Sequence, residues 1–242
     1  MRHVVITGGG TGIGLAAAEE FVKAGDRVTI TGRRKQVLKE AAARLGPLAS
    51  WVSFDAADPA AIRNALPQLP DRVDVLVNNA GGNTDFDRDE VADGDLDGLA
   101  AQWRANLDAN LLSAVLLTAA LGPRLADNAR IVSMSSIAAR RGAGSYGPAK
   151  AAVESWTAGI ATEFGARGIT ANVVSPGLTH GSEFFRDTLT SEREQRMIEE
   201  TRTHRAGTTA DVVATIAFLA SPAAGHITGQ VIYVNGGAFL GR

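Results

Sequence analysis

The 242-residue sequence predicts a single α/β domain, residues 1–242, built on a doubly wound parallel sheet of about seven strands. Three observations predict this fold. Short runs rich in Val and Ile alternate with longer helical stretches, as in consecutive βαβ units. Most of these runs lack polar alternation, which is expected of strands that helices cover on both faces. No internal repeat, low-complexity run or linker divides the chain.

Each predicted element has a local signal. The strands are predicted at residues 3–7, 27–31, 51–54, 73–78, 129–134, 169–175 and 230–234. Helical stretches lie between them, among them residues 14–25, 35–46 and 151–166. Gly25 and Gly165 stand at the usual C-terminal stop position of the first and last of these helices. The last helix should begin close to Tyr146, because Pro148 is tolerated only in a first helical turn.

Composition argues against several classes of protein. Lys and Arg total 24 against 26 Asp and Glu, a balance that predicts no nucleic-acid partner. The absence of cysteine excludes disulfides and thiolate chemistry, and it permits a cytoplasmic location. An apolar segment begins after two residues, leaving no room for a signal peptide, and the apolar stretch 111–121 is too short to span a bilayer. We therefore expect a cytoplasmic protein with no membrane partner.

A glycine-rich turn, residues 4–14 (VVITGGGTGIG), leaves the first predicted strand and opens the first helix. Glycines at positions 8, 12 and 14 let backbone amides approach a pyrophosphate, and the helix N-terminus offers unsatisfied N–H groups. The alternative is a flexible turn without a ligand. The strand on one side and the alanine-rich helix on the other favour a dinucleotide site.

The end of the second strand indicates which dinucleotide is bound. NAD binders usually carry an acid there for the ribose 2′-hydroxyl, whereas arginine suits the 2′-phosphate of NADP. Here Gly32 is followed by Arg33, Arg34 and Lys35. Cations at a helix N-terminus are unfavourable unless an anion compensates them, although a solvated basic helix start is the alternative. The sequence predicts NADP(H), with NAD(H) as the less favoured cofactor.

Five motifs occur together in order along the chain: residues 7–14 (TGGGTGIG), 78–81 (NNAG), 135–136 (SS), 146–150 (YGPAK) and 175–177 (SPG). Each motif alone is weak evidence for a protein family, but the five in this order are specific evidence. With it the sequence resembles the classical short-chain dehydrogenase/reductases over essentially its whole length. The resemblance implies a Rossmann-type fold, an oxidoreductase activity on a small carbonyl or alcohol substrate, and a homotetramer.

The resemblance also implies a role for each matching residue. It makes Tyr146 the catalytic acid/base, Lys150 its activator, Ser136 the contact to the substrate carbonyl and Asn110 the support of a proton-relay water. Residues implied to bind the cofactor, with Asp55 on the adenine side, are Gly8, Thr11, Gly12, Ile13, Gly14, Arg33, Arg34, Asp55, Ala56, Asn79, Ala80, Gly81, Tyr146, Lys150, Pro176, Gly177 and Thr179.

Elementary chemistry explains the Tyr–Lys pair. A tyrosine has a pKa of about 10, too high for an efficient proton shuttle at neutral pH. The Lys150 ammonium, together with the positive charge of an oxidised nicotinamide, is expected to lower the pKa of Tyr146. Lys150 can also hydrogen-bond the nicotinamide ribose. A Tyr–Lys pair at this spacing also arises by chance on helices, so the other motifs support the interpretation.

The loop before Tyr146 departs from the family pattern. Ser136 and Tyr146 are ten residues apart, fewer than in typical members. The serine assignment therefore has two alternatives, Ser135 and Ser133.

Two further positions depart from that pattern. Gly181 stands where the family commonly has a threonine that contacts the carboxamide, so Thr179 or Ser182 is expected to substitute. Thr11 lacks the basic side chain of many NADP-preferring members.

A metal site is not predicted. Asp85, Asp87 and Asp89 alternate as in a calcium loop, but Glu90 and Leu96 stand where that loop needs Gly and Glu. We predict a solvated acidic loop. The four histidines show no ligand spacing and cysteine is absent, so a zinc-type alcohol dehydrogenase is not supported.

The segment 178–204 is long for a connection and includes the helical stretch 191–202. We predict a mobile substrate lid over the nicotinamide, with an apolar roof and a solvent-facing His180. The roof residues would be Phe184, Phe185, Leu189 and Met197.

These interpretations predict an NADP(H)-dependent carbonyl reductase, with 3-oxoacyl thioesters, small ketones, sterols and sugars as candidate substrates. An NAD-dependent sugar or secondary-alcohol dehydrogenase is the alternative enzyme. A non-catalytic dinucleotide sensor or scaffold is the alternative of another class, but it is expected to have lost Tyr146 or Lys150. The apolar stretch 111–121 and the near-terminal Phe239 and Leu240 support a homotetramer.

Overall fold

A seven-stranded parallel sheet forms the centre of the structure, a computed structural model that describes residues 1–87, 90–185 and 188–241. The strands are β1 His3–Thr7, β2 Arg27–Gly32, β3 Ala49–Ser53, β4 Val73–Asn78, β5 Leu125–Met134, β6 Thr170–Pro176, β7 Thr179–His180, β8 Gly207–Thr208 and β9 Val231–Val234. The sheet order is β3-β2-β1-β4-β5-β6-β9, while β7 pairs with β8 outside it. Because the chain reverses its direction of travel between β1 and β4, a crevice opens at their carboxyl ends.

Helices cover both faces of this sheet, as predicted. They are α1 Gly12–Lys23, α2 Lys35–Leu45, α3 Pro59–Ala65, α4 Leu96–Leu107, α5 Ser113–Leu121, α6 Ala138–Arg141, α7 Tyr146–Phe164, α8 Ser191–Glu199 and α9 Thr209–Leu219. Within β1, Val4 and Ile6 join a core with α1, α2 and α9, whereas Val5 joins a second core with α3, α5 and α7. Alternate side chains of one apolar strand thus fill two cores, which confirms the doubly wound Rossmann-type fold.

Several predicted strand ends differ from the structure by one or two residues, and two predictions differ in kind. β5 begins at Leu125, earlier than predicted, and its pairing with β4 shifts register between Val73 and Val75. Gly165 has a helical φ of −57° and opens a short 3₁₀ turn, so it is not the left-handed stop. Gly168 takes that role with a φ of +67°, a conformation that glycine adopts without strain.

The helix from Leu96 to Arg124 runs through α4, a π-helical turn at Asp108–Leu112, and α5. It has 29 residues and contains an 18-residue window of mean hydropathy 1.3, so by length and composition it could cross a bilayer. The apolar stretch 111–121, judged too short to do so, is only a part of this helix. Of that window, 44% is buried inside the protein. Leu117 and Leu121 are fully buried in the second core, as in a core helix of a globular fold.

Candidate active site

The glycine-rich turn forms a tight cradle between β1 and α1. Gly8 and Gly12 have φ values of +65° and +54°, which favour glycine. A Cβ atom on Gly14 would lie 2.3 Å from the Gly8 carbonyl oxygen, so a larger residue cannot occupy that position. Thr11 is the N-cap of α1 and makes no side-chain capping hydrogen bond. The first turn of α1 therefore presents N–H groups that suit a phosphate, and the cradle fits a dinucleotide.

The NNAG segment holds this cradle in place. The Asn79 side-chain amide donates to the carbonyl oxygens of Thr7 and Gly8 at 2.9 and 3.2 Å. In return, the Thr7 hydroxyl accepts from the backbone N–H groups of Asn79 and Ala80 at 2.9 and 2.8 Å. Asn79 and Ala80, predicted to bind the cofactor, thus shape the loop that would hold it.

The ends of β2 and β3 lie beside the cradle. Arg33 and Arg34 are exposed, and the Arg34 guanidinium donates to the Thr11 hydroxyl at 3.1 Å. This contact joins the predicted 2′-phosphate residues to the glycine-rich turn. Asp55 follows β3, and its carboxylate accepts from the Ala57 N–H at 2.9 Å, which fixes its orientation beside the buried Ala56.

Tyr146 is the first residue of α7, as the position of Pro148 predicts, and Lys150 lies one helical turn later on the same face. Both side chains are buried, at 4% and 3% exposure. The Lys150 Nζ atom lies 5.8 Å from the centroid of the Tyr146 ring and donates to the Met134 carbonyl oxygen at 2.8 Å. The four-residue spacing of Tyr146 and Lys150 therefore places the phenol and the amine together at the carboxyl end of β5.

Burial changes the protonation of both groups. It raises the pKa of Tyr146 above its ordinary value, while a hydrogen bond with the Ser136 side chain lowers that pKa by less. Burial also lowers the pKa of Lys150 to about 8. The protein alone therefore does not produce the expected lowering of the Tyr146 pKa. It keeps the phenol neutral at neutral pH, as a proton donor.

The three candidate serines have different surroundings. Ser136 interacts with the Tyr146 phenol. Ser135 is buried and donates to the Glu154 carboxylate at 2.8 Å, and Ser133 is fully buried within β5. The structure thus brings Ser136 to Tyr146 despite the short loop between them.

Asn110 lies in the π-helical turn, a feature often found at functional sites. Its side chain donates to the Gly82 carbonyl oxygen at 2.9 Å and accepts from the Gly82 N–H at 3.0 Å. A Cβ atom on Gly81 would lie 2.5 Å from the Asn110 Oδ1 atom and 3.2 Å from the Lys150 Nζ atom. Gly81 therefore brings the backbone of the NNAG segment into direct proximity with both side chains.

A buried polar cluster lies beside Tyr146 and was not predicted from the sequence. Asn106 is fully buried and donates to the Asp85 carboxylate at 2.7 Å and to the Ser145 hydroxyl at 2.8 Å. Ser145 in turn donates to Asp85 at 3.0 Å. The cluster ties the residue before Tyr146 to two other segments. An asparagine one helical turn before Asn110 was the available signal.

The acidic loop is only partly solvated. Asp85 is half-buried in the cluster with Asn106 and Ser145, so a fully solvated loop is wrong at this residue. The Asp87 side chain and Asp89 lie outside the described residues. Over 1–87, 90–185 and 188–241, no group of three or more His, Cys, Asp or Glu side chains is placed to hold a metal ion.

Aromatic rings cover the phenol. The Phe184 ring centroid lies 5.4 Å from that of Tyr146 and 5.7 Å from that of Phe86, and Phe185 lies edge-on to Phe184 at 4.9 Å. The segment predicted as a lid thus places its two phenylalanines over the candidate site, and its helical stretch forms α8. The exposed His180 contacts Glu194 of α8 at 2.5 Å.

After β6, the two hydroxyl groups predicted to contact the carboxamide, those of Thr179 and Ser182, already donate hydrogen bonds within the protein. The Thr179 hydroxyl donates to the Gly177 carbonyl oxygen at 3.1 Å, and Thr179 is 7% exposed. Ser182 donates to the Thr179 carbonyl oxygen at 2.9 Å. A Cβ atom on Gly177 would lie 2.9 Å from that of Asn235, so this turn also needs glycine. Either hydroxyl can still accept a hydrogen bond from a carboxamide.

Known proteins resemble this chain over nearly its full length. A family model described as Enoyl-(Acyl carrier protein) reductase matches residues 8–238. Short-chain reductase protein NovJ of Streptomyces niveus is 33% identical, over 96% of this chain and 92% of NovJ. The 3-oxoacyl-(acyl-carrier-protein) reductase FabG of Haemophilus influenzae is 32% identical, over 99% of this chain and 98% of FabG. The structure of a short chain dehydrogenase from Burkholderia cenocepacia J2315 in complex with NADP superposes with a TM-score of 0.85 at 31% identity, covering 98% of this chain and 97% of that one.

The residues matched by the family model, 8–238, span the glycine-rich turn and the Tyr–Lys pair, and the named relatives are described as reductases and dehydrogenases. They place the protein among the oxidoreductases that bind a nicotinamide dinucleotide. The chain belongs to the short-chain dehydrogenase/reductase family, as its motifs predict.

Proposed function

We propose that this chain is a carbonyl reductase that prefers NADP(H), with 3-oxoacyl thioesters as the first substrate class to test. The observation that carries the proposal is a neutral, buried Tyr146 phenol that is hydrogen-bonded to Ser136 and whose ring centroid lies 5.8 Å from the Lys150 Nζ atom. Two neighbouring hydroxyl groups with an amine close by suit a carbonyl oxygen that becomes an alcohol. The similarity to FabG supports the substrate class.

When bound, the dinucleotide supplies the hydride. Tyr146 donates the proton to the carbonyl oxygen, and Ser136 hydrogen-bonds the same oxygen. Lys150 is held by the Met134 carbonyl oxygen and places positive charge beside the phenol. Asn110, through its two hydrogen bonds with Gly82, holds the backbone beside Lys150, which would line the nicotinamide site.

The cofactor preference rests on charge. Gly8, Gly12 and Gly14 would hold the pyrophosphate, and the exposed Arg33 and Arg34 would hold the 2′-phosphate. A similar solved structure contains NADP, which supports this assignment. A cytoplasmic location remains a prediction from composition.

The experiment measures oxidation of NADPH and NADH with a 3-oxoacyl thioester, a small ketone, a sterol and a sugar. A 2-enoyl thioester is added because the matching family model is described as an enoyl reductase. We expect turnover with a ketone and a higher kcat/KM with NADPH. Equal kcat/KM for the two dinucleotides would contradict the cofactor preference, and turnover of the enoyl thioester alone would contradict carbonyl reduction.

Tyr146→Phe tests the proton donor. It removes only the hydroxyl, so we expect turnover to fall by roughly 100-fold or more while the Kd for NADPH changes by less than about twofold. Lys150→Ala should weaken both turnover and NADPH binding. Wild-type kcat in Tyr146→Phe on a good substrate would contradict the mechanism.

A further inference from the structure

A carboxylate of the protein itself lies at the proposed phosphate site. Glu183, in the segment that follows β7, reaches back to the glycine-rich turn. Its Oε2 atom accepts from the Thr11 hydroxyl at 3.0 Å and from the Arg34 guanidinium at 2.9 Å. A Cβ atom on Gly12 would lie 3.7 Å from the Glu183 backbone nitrogen, so this backbone also lies against the start of α1.

The surroundings of Glu183 are those of an anion site. The hydrogen bond from Arg34 lowers the pKa of the Glu183 carboxyl, so the group is an anion at neutral pH. Arg34 is also one of the two arginines that the proposed function assigns to the 2′-phosphate, and its guanidinium donates to the Thr11 hydroxyl at 3.1 Å. A carboxylate and a phosphate cannot both take these donors, because like charges at this separation repel each other. The two anions therefore compete.

The carboxylate is held weakly enough to be displaced. The side chains of Arg34 and Glu183 are 60% and 57% exposed, and exposed ion pairs contribute little to stability. A phosphate offers arginine two parallel hydrogen bonds and more charge. A bound 2′-phosphate is expected to win this competition, at a reduced net affinity.

Glu183 is joined by one peptide bond to a residue of the candidate active site. The next residue is Phe184, whose ring lies 5.4 Å from that of Tyr146. Neighbouring Cα atoms are about 3.8 Å apart, so a movement of the Glu183 backbone away from the start of α1 also moves Phe184. The same short segment thus contacts the phosphate site and covers the phenol.

We propose that Glu183 sets dinucleotide selectivity: its carboxylate competes with the 2′-phosphate for Arg34 and Thr11, and its displacement moves Phe184 away from Tyr146. The inference rests on the proposed function, because it needs a dinucleotide in the cradle. According to this proposal, a residue in the segment that covers the substrate site also helps to determine which cofactor binds.

Binding measurements on Glu183→Gln test the selectivity. The variant keeps the size of the side chain and removes its charge. Titration calorimetry should give a Kd for NADPH and for 2′,5′-ADP that is about threefold to fivefold lower than in the wild type, with the Kd for NADH within about twofold. Glu192→Gln, an exposed carboxylate on α8, is the matched control and should leave all three values unchanged. Arg34→Ala should weaken NADPH binding.

Hydrogen exchange tests the displacement. In the wild type, 2′,5′-ADP should speed exchange in residues 182–185, whereas in Glu183→Gln exchange there should already be fast and change little. Slower or unchanged exchange in the wild type would overturn the displacement, and an unchanged NADPH Kd in Glu183→Gln would overturn the selectivity. A wild type that binds neither dinucleotide would instead overturn the proposed function.

Discussion

At the scale of single residues, burial decides the chemistry of the Tyr–Lys pair. Both groups lie in a site with little water, which disfavours the charged form of each. The pKa of Tyr146 therefore rises, and the pKa of Lys150 falls to about 8. A neutral phenol donates a proton readily to a forming alkoxide. The arrangement in the protein itself thus suits reduction, and oxidation would need further positive charge near the phenol.

The lowered pKa of Lys150 makes stability depend on pH. In the unfolded chain this lysine holds its proton up to its ordinary pKa of 10.5, whereas in the folded protein it loses the proton near pH 8. The unfolded state therefore binds more protons within that window, so the Lys150 contribution to stability rises with pH there. Tyr146 opposes this trend only above its own ordinary pKa of 10.0.

Lys150→Met removes this contribution. The free energy of unfolding of the wild type, relative to that of the variant, should rise by about 2 kcal/mol between pH 7 and about pH 9.5. Urea unfolding at a series of pH values measures it, with the exposed Lys39→Met on α2 as the control. A difference that stays constant with pH would contradict the burial effect.

At the scale of elements, an ion pair holds the short connection between β5 and α7. Arg140 of α6 contacts the buried Glu154 carboxylate of α7 at 2.5 Å and donates to the Tyr233 hydroxyl at 3.0 Å. Glu154 also accepts from Ser135, the neighbour of Ser136. Glu154 thereby joins α6 and α7 to the residue that precedes Ser136. This linkage gives a physical reason why a shortened loop still delivers Ser136 to the phenol.

Arg140→Ala should be destabilising, because it leaves a buried carboxylate without its cation. We expect a loss of about 3 kcal/mol in the free energy of unfolding and a lower kcat. The double variant Arg140→Ala/Glu154→Gln should recover part of that stability, since it removes the buried charge. Arg44→Ala, which breaks an exposed pair with Glu19, is the control and should cost less than about 1 kcal/mol. An Arg140→Ala variant as stable as this control would contradict the role of the pair.

At the scale of the whole molecule, large apolar side chains remain at the surface of one long helix. Leu96, Leu99 and Trp103 of α4 are 75%, 43% and 40% exposed. Of the near-terminal residues, Leu240 is 62% exposed, whereas Phe239 packs against Tyr233. Exposed apolar surface of this kind is usually covered by another protein surface.

The homotetramer expected from the family resemblance stays a prediction, and α4 supplies a variant that tests it. Light scattering of the wild type at micromolar concentration should give the mass of four chains. Trp103→Glu places a charge within the apolar row and should lower that mass while the circular dichroism spectrum stays unchanged. A monomeric wild type, or an unaltered mass in the variant, would contradict an interface on this helix.

Local sequence signals were sufficient for the scaffold and part of the site. Apolar runs predicted all seven strands of the sheet, because a strand between two helical layers must be apolar on both faces. The position of Pro148 predicted the first residue of α7, because proline is tolerated in the first turn of a helix but disrupts its interior. The spacing of Gly8, Gly12 and Gly14 predicted the tight turn between β1 and α1. Each of these features depends on a few consecutive residues.

Tertiary structure decided which side chains meet and how they are charged. Arg34 and Glu183 are 149 residues apart, and Asn106 and Ser145 are 39 apart, so no local pattern relates them. The choice of Ser136 over its neighbours and the direction of the Tyr146 pKa depend on packing around each group. Distant contacts and desolvation arise only when separate elements pack together, whereas strand and turn preferences already exist in the unfolded chain.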